Sequence, residues 1–285
     1  MPEYLAPGVY VEETSFRSKS IEGVPTSTTA FVGFTRRGPL ATARSPKPLT
    51  SFAEFERIYG GLANLRFPPK TNHVAHAAKG FFEEGGRRLY VARVRSPSAK
   101  AKESIKDWQG ALDRLAALKD VAIVAAPGAT ERGRLAESIQ SRLIAHAEAV
   151  GAYRFAVLDI PQGKTPSEAI AYLRNFDSKN AAFYYPWIKV PNPSAKPADP
   201  PASQSLLLPP SGLIGGIYAR SDIERGVFKA PANEVVRNAA GFERQITQAE
   251  QDTLNPAGVN CLRFFAGRGN RVWGARTASS DPEWK

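Results

Sequence analysis

Val121-Ala122-Ile123-Val124-Ala125-Ala126-Pro127 is the stretch whose reading decides the fold class. Six apolar residues run without a break and stop at a proline. The run is too short for a buried helix, which fits a strand covered on both faces. Before it, Ile105, Trp108, Leu112 and Leu115 recur at spacings of three and four, the stripe of an amphipathic helix. After it, Leu135, Ile139, Leu143 and Ala147 mark another helix, and Phe155-Ala156-Val157-Leu158 another strand. Thr165-Pro166-Ser167-Glu168 is a capping box with proline at the first helical position, opening a helix through Phe176. Ala182 to Trp187 reads as the next strand.

The same alternation holds upstream. Ala30-Phe31-Val32-Gly33-Phe34 is the first buried strand, and Ser51 with Glu54 caps a helix carrying Phe52, Phe55, Ile58 and Tyr59 until Gly60-Gly61. Val74–Phe82 reads as a helix and Leu89–Val94 as a strand. Apolar strands alternating with helices predict an α/β fold (α+β overall), with a central mixed or mostly parallel sheet and flanking helices. Around this core the chain divides into an extended arm at 1–29, the core at 30–211 and a C-terminal α+β part at 212–285. Seven prolines between Pro191 and Pro210 predict an exposed extended loop. Ser211–Arg220 reads as a glycine-rich helix packed closely on a neighbour. Asn260–Thr277 reads as two strand-like pieces about the turn Gly267-Arg268-Gly269-Asn270. In the second piece, Trp273 and Ala275 alternate with Val272, Gly274 and Arg276.

A chain of 285 residues, 42% hydrophobic, can bury a sizeable core, and no apolar run is long enough for a membrane-spanning helix. Met1 to Gly8 lacks the basic and apolar regions of a secretory signal. The single cysteine, Cys261, excludes an intrachain disulfide and reads as a small buried side chain. The net charge of +11 is uneven, with 15 basic against 8 acidic side chains in the first hundred residues. Arg36-Arg37 and Arg87-Arg88 are the only adjacent basic pairs, too sparse to argue for nucleic-acid binding.

Candidate chemistry is thin. His73 and His76 stand three apart on a helix without a third ligand and read as surface or helix-end residues, not as a metal pair; His146 reads as exposed or partly packed. Asp159 ends a strand, where α/β sites gather, but can equally serve helix-start amides. Gly163-Lys164-Thr165 imitates a phosphate loop, yet Leu158 stands where that loop needs glycine and Pro161 removes an amide. No Gly-x-Ser-x-Gly elbow is present. No catalytic residue, cofactor or metal is expected. An α/β enzyme, whether hydrolase or nucleotide binder, remains one alternative and a basic nucleic-acid-binding module another.

One further pattern runs through the chain in order: Pro7-Gly8-Val9-Tyr10-Val11-Glu12-Glu13; Phe81-Phe82-Glu83-Glu84-Gly85-Gly86; Glu224-Arg225-Gly226-Val227-Phe228-Lys229-Ala230-Pro231-Ala232-Asn233; Asn255-Pro256 with Gly258-Val259-Asn260; Gly267-Arg268-Gly269 with Arg271-Val272-Trp273-Gly274-Ala275-Arg276-Thr277; and Ser280-Asp281-Pro282-Glu283-Trp284-Lys285. It resembles the contractile tail sheath family of phages and phage-tail-like injection particles. The resemblance implies a core of the family's subtilisin-like kind without protease activity. It also implies a structural subunit that polymerises in stacked six-fold rings around an inner tube and contracts to drive the tube through a target envelope. Implied partners are other sheath subunits, the tube protein, baseplate and tail terminator, with no nucleic acid and no membrane insertion. The implied place is a tail or tail-like particle assembled in the bacterial cytoplasm. Tyr4, Val9, Tyr10, Val11, Glu12 and Glu13 fall where the family's linking arm lies. Arg225, Lys229, Arg263, Arg268, Arg271, Trp273 and Arg276 are the candidate lattice contacts, and a sheath subunit implies an unpaired edge near Val272–Thr277. Family members continue beyond the Glu-Trp-Lys position, so the C-terminal end is expected to be lacking and the chain alone to stay monomeric or to associate weakly.

Overall fold

The computed structural model describes residues 26–98 and 102–284, so the arm residues Tyr4, Val9, Tyr10, Val11, Glu12 and Glu13 lie outside the described residues. Along the chain run β1 (Thr29–Gly33), α1 (Phe52–Tyr59), α2 (His73–Glu83), β2 (Leu89–Arg93), α3 (Ile105–Ala116), β3 (Ile123–Ala125), α4 (Ala136–Glu148), β4 (Phe155–Asp159), α5 (Pro166–Leu173), β5 (Ala181–Tyr185), β6 (Ile188–Pro191), β7 (Ser205–Leu208), α6 (Ser211–Arg225), β8 (Gly241–Phe242), α7 (Gln248–Leu254), β9 (Val259–Phe265) and β10 (Gly269–Trp273).

Seven strands form one sheet in the order β2-β1-β3-β4-β5-β9-β10, parallel throughout except for the antiparallel β9–β10 hairpin. The expected mostly parallel sheet is therefore present. It is doubly wound, its strand order reversing between β1 and β3. Val32, Trp108, Leu112, Leu143, Phe183 and Leu254 lie in the core between one face of the sheet and α3, α4, α5 and α7. Phe31, Phe81, Leu213, Tyr184 and Leu262 lie in the core on the other face, under α1, α2 and α6. The apolar strands read from sequence are continuous because each is buried from both sides.

Two expectations are corrected. The proline-rich stretch is not simply a loop: its two ends form β6 and β7 of a small antiparallel sheet, order β7-β6-β8, and Leu208 is buried. Nor is the β10 edge free at Val272. The Val272 amide donates to the Glu234 carbonyl at 2.9 Å, its carbonyl accepts the Asn233 amide at 2.7 Å, and the Val236 amide reaches the Asn270 carbonyl at 3.0 Å. Residues 233–236 are thus a strap over the outer edge. β10 stops at Trp273 because the Asn260 side chain takes over: its Oδ1 accepts the Arg276 amide at 2.7 Å and its Nδ2 donates to the Arg276 carbonyl at 2.8 Å. At the hairpin turn Gly267 and Gly269 have φ of 75° and 73°, which glycine adopts without steric cost.

The glycine-rich α6 packs on α2 at backbone distance. A Cβ on Gly212 would stand 2.4 Å from the Cβ of Ala77, and one on Gly216 would stand 2.5 Å from the Phe81 carbonyl oxygen. Gly215, on the same helix, has its nearest neighbour at 3.4 Å, an ordinary contact. Gly216→Ala is therefore expected to lower unfolding stability by about 1–3 kcal/mol through overpacking. Gly215→Ala should leave it unchanged or raise it by up to about 1 kcal/mol through helix propensity. Denaturant midpoints at constant m-value check both; equal effects would refute the close-approach account.

Candidate functional site

In a doubly wound sheet the place for a ligand is the crevice at the carboxyl ends of the strands where their order reverses. Here that place, above β1 and β3, is filled by the protein's own side chains. Phe34 and Trp108 meet edge-to-face at 5.4 Å, and the Arg132 guanidinium sits 4.8 Å over the Phe34 ring. The Trp108 indole donates to Glu103 Oε1 at 3.0 Å, and Arg132 pairs with Glu103 at 3.3 Å. His73 Nε2 lies 2.7 Å from Glu131 Oε2. Burial alone would raise the Glu131 carboxyl, but the His73 contact and Arg132 hold it below its ordinary range. The remaining space is about 10 Å³, too little for a substrate.

The other chemical candidates are also engaged. His73 opens α2, a helix end as expected, but both it and His76 are buried and not on the surface; burial, followed by His73 and Lys79, pushes the His76 imidazole down to about 4. Among the described residues no group of three or more His, Cys, Asp or Glu could hold a metal. Half-buried His146 lies 2.6 Å from Arg154 Nη1. Buried Cys261 is pushed up to about 12 by desolvation. In the imitation phosphate loop the Gly163 amide donates to Glu243 Oε1 at 2.8 Å, so a carboxylate stands where a phosphate would. Thr165 and Glu168 complete the predicted capping box.

Asp159 is the helix-start partner that its position at the end of β4 allowed. It accepts the Ser211 amide at 2.7 Å and the Ser211 hydroxyl at 2.6 Å, fixing the start of α6. Complete burial outweighs these bonds and pushes its carboxyl up to about 7.

The remaining motif residues meet around α6 and the hairpin. Arg220 Nη1 donates to Glu84 Oε2 at 2.8 Å and to the Glu84 carbonyl at 2.7 Å, while Nη2 donates to the Val235 carbonyl at 2.7 Å. Arg220 and Glu84 have side-chain exposures of 4% and 0%. This pair escaped the sequence reading, although a lone arginine ending the apolar run Leu213–Ala219 was a signal for it. Buried Asn260 between Val259 and Cys261 was a second such signal.

The candidate lattice residues are mostly occupied within the chain. Lys229 pairs with Glu234 at 3.2 Å and donates to the Ala232 carbonyl at 3.0 Å. Arg263 donates to Gln248 Oε1 at 3.0 Å, Arg268 to Asn233 Oδ1 at 2.9 Å and Arg271 to the Asn233 carbonyl at 3.1 Å. Trp273 packs on Phe265 at 4.6 Å, with Arg268 5.6 Å over its ring. The backbone of Arg276 is held by Asn260. Arg225, exposed at the end of α6, has no ion pair among the described residues.

The Asp159 geometry predicts a pH effect. The unfolded carboxyl releases its proton near 4 and the folded one near 7, so across that window the folded state holds more protons. Its contribution to stability is full below pH 4 and is lost as pH rises to 7. Relative to the wild type, Asp159→Asn should remove a fall of at most about 4 kcal/mol between pH 4 and pH 7. Denaturation midpoints across that range check it; identical slopes would contradict the burial argument.

Residues 102–278 match the sequence model of the phage tail sheath protein central domain. The Pseudomonas aeruginosa (strain UCBPP-PA14) prophage protein assigned as its major tail sheath protein is 29% identical over 133 residues, 45% of this chain and 32% of that protein. The tail sheath protein of Burkholderia phage BcepMu is 28% identical over 155 residues, 50% of this chain and 31% of that protein. The matched stretch thus spans about a third of each curated relative. The helical sheath of the anti-feeding prophage in its contracted state superposes with a TM-score of 0.71 at 27% identity, covering 98% of this chain and 70% of that one. With the central-domain model matched across more than half of its length, the chain belongs to the phage tail sheath protein family.

Proposed function

We propose that this chain is the body of a structural subunit of a contractile tail sheath, in a phage tail or a phage-tail-like injection particle. The observation that carries the reading is the superposition of 98% of the chain on the contracted helical sheath of the anti-feeding prophage, at 27% identity. Copies assemble as stacked rings around an inner tube, held at the baseplate and closed by a terminator, and contract to drive the tube through a target envelope. Repeated head-to-tail contacts between identical copies build such rings and helices. The subunit catalyses no reaction: energy is stored in the packing of copies. In the crevice above β1 and β3 the protein's own side chains leave about 10 Å³, no room for a substrate.

Within this reading Tyr4, Val9, Tyr10, Val11, Glu12 and Glu13 link neighbouring subunits, and Arg225 is the outward lattice contact. Arg263, Arg268, Arg271, Trp273 and Arg276 then act chiefly by fixing the hairpin that faces the lattice. Deleting the coding sequence from the genome that carries it tests the function. Electron microscopy should then show particles with bare tubes, whereas contractile sheaths of ordinary length would overturn the reading. In the intact particle, deleting residues 1–13 should abolish sheath assembly and leave the circular dichroism of the subunit unchanged.

A further inference from the structure

A concavity of about 550 Å³ opens at the carboxyl ends of β1 and β2, ringed by Arg36, Arg37, Arg66 and Arg93 over Leu65 and Phe67. Two of these arginines are pinned without being neutralised. Arg37 Nη2 donates to the Glu56 and Arg57 carbonyls at 3.1 and 3.2 Å, and Arg93 Nη1 donates to the Gly38 carbonyl at 2.6 Å, while its buried Nε has no partner. Arg36 and Arg66 are exposed, and none of the four has an ion pair among the described residues. Some other cations are neutralised within the chain: Arg88 by Asp120, Arg95 by Asp107, Arg132 by Glu103 and Arg244 by Glu250. Carbonyl oxygens orient a guanidinium but leave its charge, so four like charges here await an anionic partner.

The opposite pole carries carboxylates as well as cations, the latter including Arg87, Lys119 and Lys179. In a parallel sheet all amino ends lie on one side, and there the Ala278 amide donates to the Ala181 carbonyl at 2.8 Å, drawing residues 278–284 across the start of β5. Asp177 accepts the Ser280 amide at 2.9 Å and hydroxyl at 2.6 Å; the hydroxyl and then the amide hold its carboxyl below the ordinary range. Asp281 Oδ1 accepts the Glu283 amide at 3.0 Å. Asp177, Asp281 and Glu283 have no ion pair among the described residues, and the nearby Lys179 ammonium lies 4.1 Å over the Trp284 ring.

We propose that the arginine pocket is a docking site for a second copy of this chain, which enters with the carboxylates Asp177, Asp281 and Glu283 of its amino pole. The proposal rests on the sheath reading for the choice of partner. An arginine pocket at one pole and carboxylates at the other give a head-to-tail contact, the kind that builds rings or continuing helices from identical copies. Exposed ion pairs contribute orientation more than affinity, which suits a contact that must be remade as copies shift.

Sedimentation of the wild-type chain tests it at about 20 mM and about 500 mM salt, which differ severalfold in screening length. Expected is concentration-dependent association at low salt that is lost at high salt. Arg36→Glu/Arg66→Glu and Asp281→Lys/Glu283→Lys should each associate at least tenfold more weakly while keeping the wild-type circular dichroism. An equimolar mixture of the two variants should associate again, because each retains the patch that the other lacks. A wild-type chain that stays monomeric at low salt, reversed variants that associate like it, or a mixture that does not recover would each overturn the proposal. None of those results bears on the bare-tube experiment, which tests the sheath reading by itself.

Discussion

A guanidinium taken out of water must be matched, and the structure is arranged around meeting that demand at Arg220. One nitrogen serves both the carboxylate and the carbonyl of Glu84; the other reaches the Val235 carbonyl. Glu84 is itself buried, which pushes its carboxyl up, while the Asn238 amide at 3.2 Å and Arg220 counter that shift. A buried pair of this kind adds little net stability over an apolar pair of the same shape, but losing one partner strands the other. Its value is geometric. It fixes the end of α2, the middle of α6 and residues 234–238 at one point, and α2 and α6 can approach there because α6 presents glycines.

From that point the strap runs onto the hairpin. Lys229 and Glu234 stiffen it, Asn233 receives Arg268 and Arg271, and its backbone completes the outer edge of β10. The far edge is closed by other means. Leu49 exchanges two backbone bonds with Leu89, the Tyr59 hydroxyl donates to the Val91 carbonyl, and the Ala41 amide donates to the Arg93 carbonyl. Closed edges do not recruit strands indiscriminately. In the sheath reading, copies would then meet through charged poles and the N-terminal arm, with the folded body transmitting force as a rigid unit.

Much of this was legible in the sequence, for physical reasons. Strands buried on both faces appear as unbroken apolar runs, and capping residues announce α1 and α5, so fold class and helix starts followed directly. The hairpin of β6 and β7 did not, because prolines at both ends masked the apolar Leu206-Leu207-Leu208. The strap did not either: Asn233 to Val236 has no strand pattern, and its order comes from long-range bonds to β10. Sequence shows the charge of Arg263, Arg268 and Arg271 but not the Gln248 and Asn233 groups that engage them. Family strings located the right segments without revealing that Glu84, Arg220 and Glu234 meet.

The central claim is that the segments around Glu84 and residues 229–236 are clamped together internally through Arg220. Native-state hydrogen exchange of Arg220→Met, resolved by residue, tests it most directly. The account predicts that the amides of Asn233, Val236 and Val272 lose protection well beyond the global loss of stability, while those of β3 and β4 fall only with the global loss. Protection at the strap that declines no more than in β3 and β4 would contradict it.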